Sequence, residues 1–279
     1  MKLTPDCYKC LRRLIYQAAD LATENASLKQ RAIEEATQIL DNEFSYSQVS
    51  IVIATKIHKV VREITRNPDP YRVMKEREMR IARESYPELR SRYKEDLRGC
   101  LKLAAAANVI DFFREPDSIR EDMIKTVNFA QNDLERLEAR LRKADRVLYL
   151  ADNAGELYFD LPLVKYMRRF ADVIYVVKPS PVQDDLTLED VKRSGLQGEF
   201  GKVMSTGIAS PGVVFSLASL QFRQEFESAD LIFAKGMGHY EALSELVPEG
   251  KFFYCLRAKC QPVADSLGVP INSYVAILQ

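Results

Sequence analysis

The sequence predicts an α/β protein: a Rossmann-like, mostly parallel sheet with helices on both faces, joined to an N-terminal helical domain. Two patterns predict it. Up to about residue 144 the apolar residues recur at helical spacing, with no convincing strand alternation. From Arg146 onward short apolar runs alternate with helical stretches: Val147–Leu150, Val173–Val177, Val203–Met204, Leu231–Ala234, Phe252–Leu256 and Tyr274–Leu278. Such alternation marks βα units, joined by right-handed crossovers. The expected division is 1–144, helical, and 145–279, α/β. The linker is short and charged, so the two parts are expected to pack together, and a cleft between them is a natural ligand site.

Composition narrows the function classes. With 279 residues, 47% hydrophobic and 29% charged, the chain is globular and long enough for a real core. Forty basic residues balance forty acidic ones, so no bulk positive field draws it to nucleic acid or an anionic membrane. No apolar run reaches membrane-spanning length, and the N-terminus lacks an apolar signal core, so a cytoplasmic protein is expected. The cysteines are Cys7, Cys10, Cys100, Cys255 and Cys260. An odd count without a secretion signal argues against a disulfide framework. Composition says nothing about oligomeric state.

In the helical part, Thr4-Pro5-Asp6 supplies a cap, a first-turn proline and an acid at the positive helix end. Leu11, Leu14, Ile15, Ala18 and Leu21 then share one face. Ser27 is the expected cap of a second helix through Ile33, Ala36, Ile39 and Leu40, and Ser45 or Ser47 of a third through Val49, Ile53, Ile57 and Val60. Asn67-Pro68-Asp69-Pro70 breaks the chain, and a charged helix follows that Pro87 is expected to restart. The next segment is apolar at Leu101, Leu103 and Ala104 to Ala107 and runs into Asn108 to Phe112. A last helix carries Ile119, Met123, Val127, Leu134, Leu137 and Leu141.

Ligands of open α/β sheets sit where strands end. After the first strand come Asp152, Asn153 and Glu156; after the second, Lys178, Asp184 and Asp185. The third is followed by Ser205-Thr206-Gly207 and Ser210-Pro211-Gly212, the fourth by Lys235-Gly236-Met237-Gly238-His239-Tyr240-Glu241, the fifth by Arg257 and Lys259. In a parallel sheet these share one edge. An acid beside an amide offers hard oxygen donors suited to Mg²⁺ or Mn²⁺. Lysines and glycine-rich backbone suit a phosphate. Each piece also has a plainer reading. Asp152-Asn153 fits a turn and helix cap, and Asp184-Asp185 fits a cap for the helix of Thr187 to Lys192. Gly236 and Gly238 fit a tight turn; Lys178 and Lys259 fit solvated surface positions. Polar residues at five successive strand ends are the stronger signal. No GxGxxG follows the first strand and no GxxxxGK[ST] occurs, which weighs against a dinucleotide fold of the usual kind and a P-loop NTPase.

Cys7 and Cys10 share a helical face. They offer two ligands to a soft metal, with Cys100 as a possible third, or pack as ordinary helical cysteines. His58, beside Lys56 and Lys59, is expected to be exposed and without a role. His239 is the histidine placed to act as an acid or base, or else a turn residue.

Taken in order, these pieces resemble the DUF89 proteins, the damage-control phosphatases, and in particular the archaeal and bacterial subfamily with an N-terminal CxxC. The resemblance rests on Cys7-Tyr8-Lys9-Cys10, Ala107-Asn108-Val109-Ile110-Asp111-Phe112, Ala151-Asp152-Asn153-Ala154-Gly155-Glu156, Asp184-Asp185-Leu186-Thr187, Lys235 through Glu241, and Leu256-Arg257-Ala258-Lys259-Cys260, nearly the whole chain. It implies a metal-dependent phosphatase with a helical N-terminal part and a Rossmann-like part. It places the family's divalent metal on Asp152, Asn153 and Asp185, its substrate loop on Gly236, Met237, Gly238, His239 and Tyr240, and its phosphate-contacting lysine on Lys259. Two positions depart from the family: His239 stands where Asn is usual, and Ala107 where Gly usually precedes Asn108.

The reading is hydrolysis of a small phosphomonoester, a sugar phosphate or damaged phosphometabolite, assisted by Mg²⁺, Mn²⁺, Co²⁺ or Ni²⁺. Asp152, Asn153 and Asp185 would carry the metal and the catalysis; Asn153, Lys235, Lys259 and the loop from Gly236 to Tyr240 would hold the substrate. Either a water activated by the metal or Asp152 itself attacks phosphorus. The rivals are methyl transfer to a protein carboxylate, an activity proposed in a related branch, and a metabolite-binding module without turnover.

Overall fold

The structure, a computed structural model, describes residues 1–109, 121–247 and 249–279; Ile110, Asp111, Phe112 and Ile119 lie outside the described residues. Five helices lead: α1 (Pro5–Ala22), α2 (Ala26–Glu43), α3 (Ser50–Thr65), α4 (Arg72–Ser91) and α5 (Leu97–Ala106). The stripe Leu11, Ile15 and Ala18 of α1 packs on Ala32, Ala36 and Leu40 of α2 and on Ile53, Ile57 and Val61 of α3.

Thr4 caps α1 with Pro5 in the first turn, as the sequence predicts, and Cys7 completes the cap, its sulfur 3.4 Å from the Thr4 amide. Three expected boundaries are corrected. Asn25, not Ser27, caps α2, its Oδ1 accepting from Leu28 N at 3.0 Å. Neither Ser45 nor Ser47 caps α3. Residue 2 pairs with residue 49, and Leu3 N donates to Gln48 O at 3.0 Å, so Val49 is held extended and the helix begins only at Ser50. Pro87 does not restart a helix, because α4 runs through it. The proline removes one backbone bond. Burial of Ile81, Ala82 and Leu89, with Tyr86 edge-on to Phe159 at 5.6 Å, holds the helix together across the gap. His58 is also not exposed: it is 3% accessible and lies edge-on to Tyr71.

The sheet has seven strands: β1 (Phe129–Asn132), β2 (Arg146–Leu150), β3 (Asp172–Val177), β4 (Lys202–Ser205), β5 (Leu231–Lys235), β6 (Phe252–Arg257) and β7 (Tyr274–Leu278). Their order is β1-β7-β6-β5-β2-β3-β4. β2 to β6 are mutually parallel; β7 is antiparallel to β6, and β1 is parallel to β7. The sheet thus begins at Phe129, ahead of the change of pattern near residue 144. The helices of this part are α6 (Leu134–Leu141), α7 (Leu157–Met167), α8 (Leu188–Arg193), α9 (Gln197–Phe200), α10 (Leu220–Ser228), α11 (Gly236–Leu243) and α12 (Gln261–Leu267). They cover both faces. Val147, Tyr149 and Phe233 point into one apolar cluster with Leu137 and Leu163; Leu148, Leu150 and Ile232 point into another with Phe222 and Tyr240. Strand side chains alternate between faces, so continuous apolar runs are what a sheet covered on both sides requires.

β2 lies between β5 and β3. From it the chain winds one way to β3 and β4 and the other way to β5 and β6. The crevice at such a reversal of strand order is where open α/β sheets hold ligands. Among the described residues no helix is long and apolar enough to cross a membrane.

Candidate active site at the ends of five parallel strands

The loops leaving β2 and β3 are joined by backbone bonds. Leu186 N donates to Asp152 O at 2.9 Å, Ala154 N to Asp184 O at 2.8 Å, and Asn153 and Asp185 pair as an isolated antiparallel bridge. This brings Asp152, Asn153 and Asp185 together from two strands. Asp184 and Asp185 are therefore not helix caps. Thr187 caps α8, its hydroxyl accepting from Asp190 N while Asp190 Oδ2 accepts from Thr187 N at 3.0 Å.

The loop leaving β5 closes on the same point. Gly236 has φ +79°, and a β-carbon there would lie 1.8 Å from Asp152 Oδ2. Only glycine allows both the conformation and the approach. A β-carbon on Gly238 would lie 1.9 Å from the Pro211 carbonyl, so the loop after β4 presses on the same turn. Lys235 precedes α11 and makes no side-chain cap, and Gly236, the first residue of that helix, abuts Asp152, so the positive helix end lies beside the acid. The Lys259 amide donates to Met237 Sδ at 3.2 Å, which brings the β6 loop alongside.

Behind Asp152 stands a buried polar network. Asn108 Nδ2 donates to Asp152 Oδ2 at 3.3 Å and to Glu156 Oε1 at 2.9 Å, while its Oδ1 accepts from Arg257 N at 2.9 Å. Lys235, expected at the phosphate, turns inward and is fully buried. Its ammonium meets Glu156, Asp160 Oδ1 at 2.7 Å and Ala104 O at 2.8 Å. Tyr149 and Tyr175 donate to the two Asp160 oxygens at 2.8 and 2.9 Å. Burial disfavours the Lys235 charge, but Asp160 and Glu156 outweigh it and hold its pKa above the ordinary value.

Lys178 is not solvated: it is 1% accessible, with its Nζ 3.4 Å from Asp185 Oδ2, 3.0 Å from Gly212 O and 3.3 Å from His239 Nε2. His239 Nδ1 lies 2.8 Å from Lys235 O. Burial, then the Lys178 charge, drives the His239 pKa well below its ordinary value, so the ring is neutral and is no acid at neutral pH. A neutral ring with these neighbours donates from Nδ1 to the carbonyl and accepts at Nε2 from the ammonium. Tyr240 faces the core, its hydroxyl 2.9 Å from Ser266 Oγ and its ring edge-on to Tyr254.

The acids are electrostatically unsettled. Part of Asp152 stays open, yet its carboxyl is enclosed. Desolvation, then the charge of Asp185, pushes it up to about 7, against Lys259, Lys235 and Lys178. Burial likewise pushes Asp185 up to about 6 and Glu156 up to about 7.

A model of the damage-control phosphatase ARMT1-like domain matches residues 3–275. The chain belongs to this family. It is 33% identical to an uncharacterized protein of Methanocaldococcus jannaschii, over 99% of this chain and 95% of that one. It is 32% identical to a damage-control phosphatase of Pyrococcus horikoshii, over 99% and 98%, and 30% identical to one of Archaeoglobus fulgidus, over 99% of each. A crystal structure of a DUF89 protein from Pyrococcus horikoshii superposes with a TM-score of 0.90 at 31% identity, covering 100% of this chain and 99% of that one.

In this family member the strand-end residues suit a divalent cation by donor chemistry. Asp152, Asn153 and Asp185 are hard oxygen donors. Asp185 Oδ2 is buried and accepts no hydrogen bond, its contact with the Lys178 ammonium at 3.4 Å being a charge pair, and the Asp185 charge adds to the cost of ionising Asp152. Among the described residues no three His, Cys, Asp or Glu side chains are spaced to hold a metal ion, so the set depends on the Asn153 amide. The same holds at the cysteines: Cys7 is buried under the α1 cap and Cys10 is exposed. A groove of about 610 Å³ between α2 and Val60, lined by Arg31, Glu34 and Gln38, contains none of the strand-end residues.

Sequence reasoning placed Asp152, Asn153, Asp185 and Lys259 in the site and counted Glu156 and Lys178 only among the polar strand ends; it gave no role to Asn108 or Asp160. Glu156 and Asp160 stand four apart just after Asp152-Asn153, a spacing that puts two acids on one helical face.

Proposed function

We propose that this family member is a metal-dependent phosphatase acting on small phosphorylated metabolites. The observation that carries the reading is the convergence of Asp152, Asp185 and the Gly236 turn at the β2–β5 crevice. A divalent cation held by Asp152, Asn153 and Asp185 supplies Lewis-acid stabilisation of the transferring phosphoryl group. The amides opening α11 receive phosphoryl oxygens, as helix N-termini do. Lys259 adds a point charge. It is the cation that Asp152 feels most, which fits a place at the mouth of the site. Asn108 donates to Asp152 Oδ2 and Gly236 closes on that same oxygen, so the two together fix the carboxylate.

The test is a phosphate-release screen over many phosphometabolites, each with Mg²⁺, Mn²⁺, Co²⁺ and Ni²⁺ and with a chelator. Release that needs a divalent ion and disappears in Asp152→Asn is the expected result. No release from any substrate with any ion would remove the reading. Acid-quench trapping of a phosphoenzyme separates attack by Asp152 from attack by water.

A further inference from the structure

Two lysines end neighbouring parts of the sheet and both are buried, but their surroundings differ. Lys235 is neutralised by two carboxylates, Glu156 and Asp160. Lys178 has one carboxylate, Asp185, at 3.4 Å; its other partners, Gly212 O at 3.0 Å and His239 Nε2 at 3.3 Å, are neutral. A buried ammonium is costly unless its protons are all taken up. Lys178 hydrogen-bonds to Gly212 O and His239 Nε2 and pairs by charge with Asp185, and each of these partners comes from the segment after a different strand.

Those loops form the floor of the crevice. Asp185 belongs to the segment paired with Asn153. Gly212 packs on the Gly238 carbonyl, 2.5 Å from where its own β-carbon would be. His239 lies in the first turn of α11 and its Nδ1 reaches back to Lys235 O, across the Gly236–Gly238 turn. A displaced ring would therefore tilt the amides that open the helix.

We propose that Lys178 is a positioning residue that, through His239 and the Gly212 carbonyl, sets the anion-binding turn at a fixed distance from Asp185. The proposal rests on the phosphatase reading above. Lys178 is too enclosed to touch substrate, so its effect passes through His239, and the two side chains act as one unit. Because the turn receives the phosphoryl group before and after transfer alike, loss of either member shows mainly in binding.

The experiment uses the full chain with Mn²⁺, p-nitrophenyl phosphate as substrate and inorganic phosphate as inhibitor, in Lys178→Met, His239→Leu and the double variant. Each single change is expected to raise KM and the phosphate inhibition constant at least about tenfold while kcat moves less than about threefold. The double variant should be no worse than the worse single one, since members of a unit are not additive. His239→Leu should leave Mn²⁺ affinity, titrated calorimetrically on metal-free protein, at the wild-type value. Multiplying single effects, or a fall in kcat at constant KM, overturns the proposal. If Lys178→Met does not fold, His239→Leu decides: an unchanged phosphate inhibition constant overturns it. A wild type that neither hydrolyses nor binds phosphate with any divalent ion removes the phosphatase reading and this proposal together. An active wild type with additive variants removes this proposal alone.

Discussion

Asp152 and Gly236 meet across the gap between β2 and β5, with no room for a β-carbon between them: one placed on Gly236 would lie 1.8 Å from Oδ2 of the acid. The contact joins the end of one strand to the first residue of the helix that follows another, so the acid proposed to hold the cation and the turn proposed to bind the anion share a single register.

Gly236→Ala should therefore damage both. The left-handed backbone at φ +79° costs an alanine about 1–3 kcal/mol. The acid must also move, and a displacement of about 1 Å at a reacting centre costs about a hundredfold in rate. The expected outcome is a lower melting temperature with kcat/KM down by roughly that factor, read by calorimetry and steady-state kinetics. Wild-type activity in the alanine variant would separate Asp152 from the turn.

Asp152→Asn should uncouple activity from stability. A carboxyl whose pKa is raised on folding, here from 3.8 to about 7, binds its proton more tightly in the native state. Native stability is then greatest below the unfolded value and is lost as pH rises toward the folded one. In metal-free protein, the melting temperature of Asp152→Asn relative to wild type should climb between about pH 4 and pH 7 and level off above. Added Mn²⁺ should reverse the order, because it stabilises only the protein that binds it. A difference flat across that range would show that Asp152 ionises freely.

Lys235 and Lys259 should respond oppositely to the same substitution. Lys235→Met leaves Glu156 and Asp160 buried without their cation and should destabilise by about 3–5 kcal/mol. Lys259→Met, half-buried at the surface, should leave the melting temperature nearly unchanged and lower kcat/KM on the best phosphomonoester at least about tenfold. Metal affinity should change much less in Lys259→Met. Equal loss of metal binding would mean that Lys259 supports the acids instead of the phosphate.

The cysteine pair gives a further check. Cys7 closes the α1 cap and Cys10 is exposed, with no third metal-spaced His, Cys, Asp or Glu among the described residues. Elemental analysis of freshly purified, unchelated protein should find neither zinc nor iron at one per chain, and Cys10→Ser should leave the melting temperature unchanged. Stoichiometric zinc lost in Cys10→Ser would establish a soft-metal site there.

Much of the sheet was legible because Val147–Leu150 and Phe252–Leu256 are buried on both faces, which leaves no polar residue to blur the run. Phe129–Asn132 was not, since an edge strand of alternating half-buried and exposed residues carries Gln131 and Asn132 openly. In the site, backbone position was readable and side-chain direction was not. Lys178 and Lys235 stand at strand ends in the sequence, but a four-carbon stem can run out to solvent or back under the sheet. Which it does depends on Asp160, His239 and Gly212, up to 75 residues away. Asn108 was hidden for the same reason: its partners Asp152 and Glu156 follow β2 and Arg257 N ends β6, two segments far from it in the chain.

The strand laid down by Phe129–Asn132 makes the sheet half of the chain impossible to sever cleanly. Asp133 N donates to Ala276 O at 2.7 Å, and Asp133 Oδ2 accepts from Leu278 N at 2.9 Å, so the residues before 144 finish hydrogen bonds that β7 leaves open. A polypeptide starting at residue 145 would lose that partner together with the apolar cover of Leu134, Leu137 and Leu141. It would expose a bare strand margin beside a greasy face, the combination through which truncated sheets stick to one another. Expressed alone, that fragment should pass from the ribosome into aggregates, whereas the same fragment extended back to residue 128 keeps its border sealed.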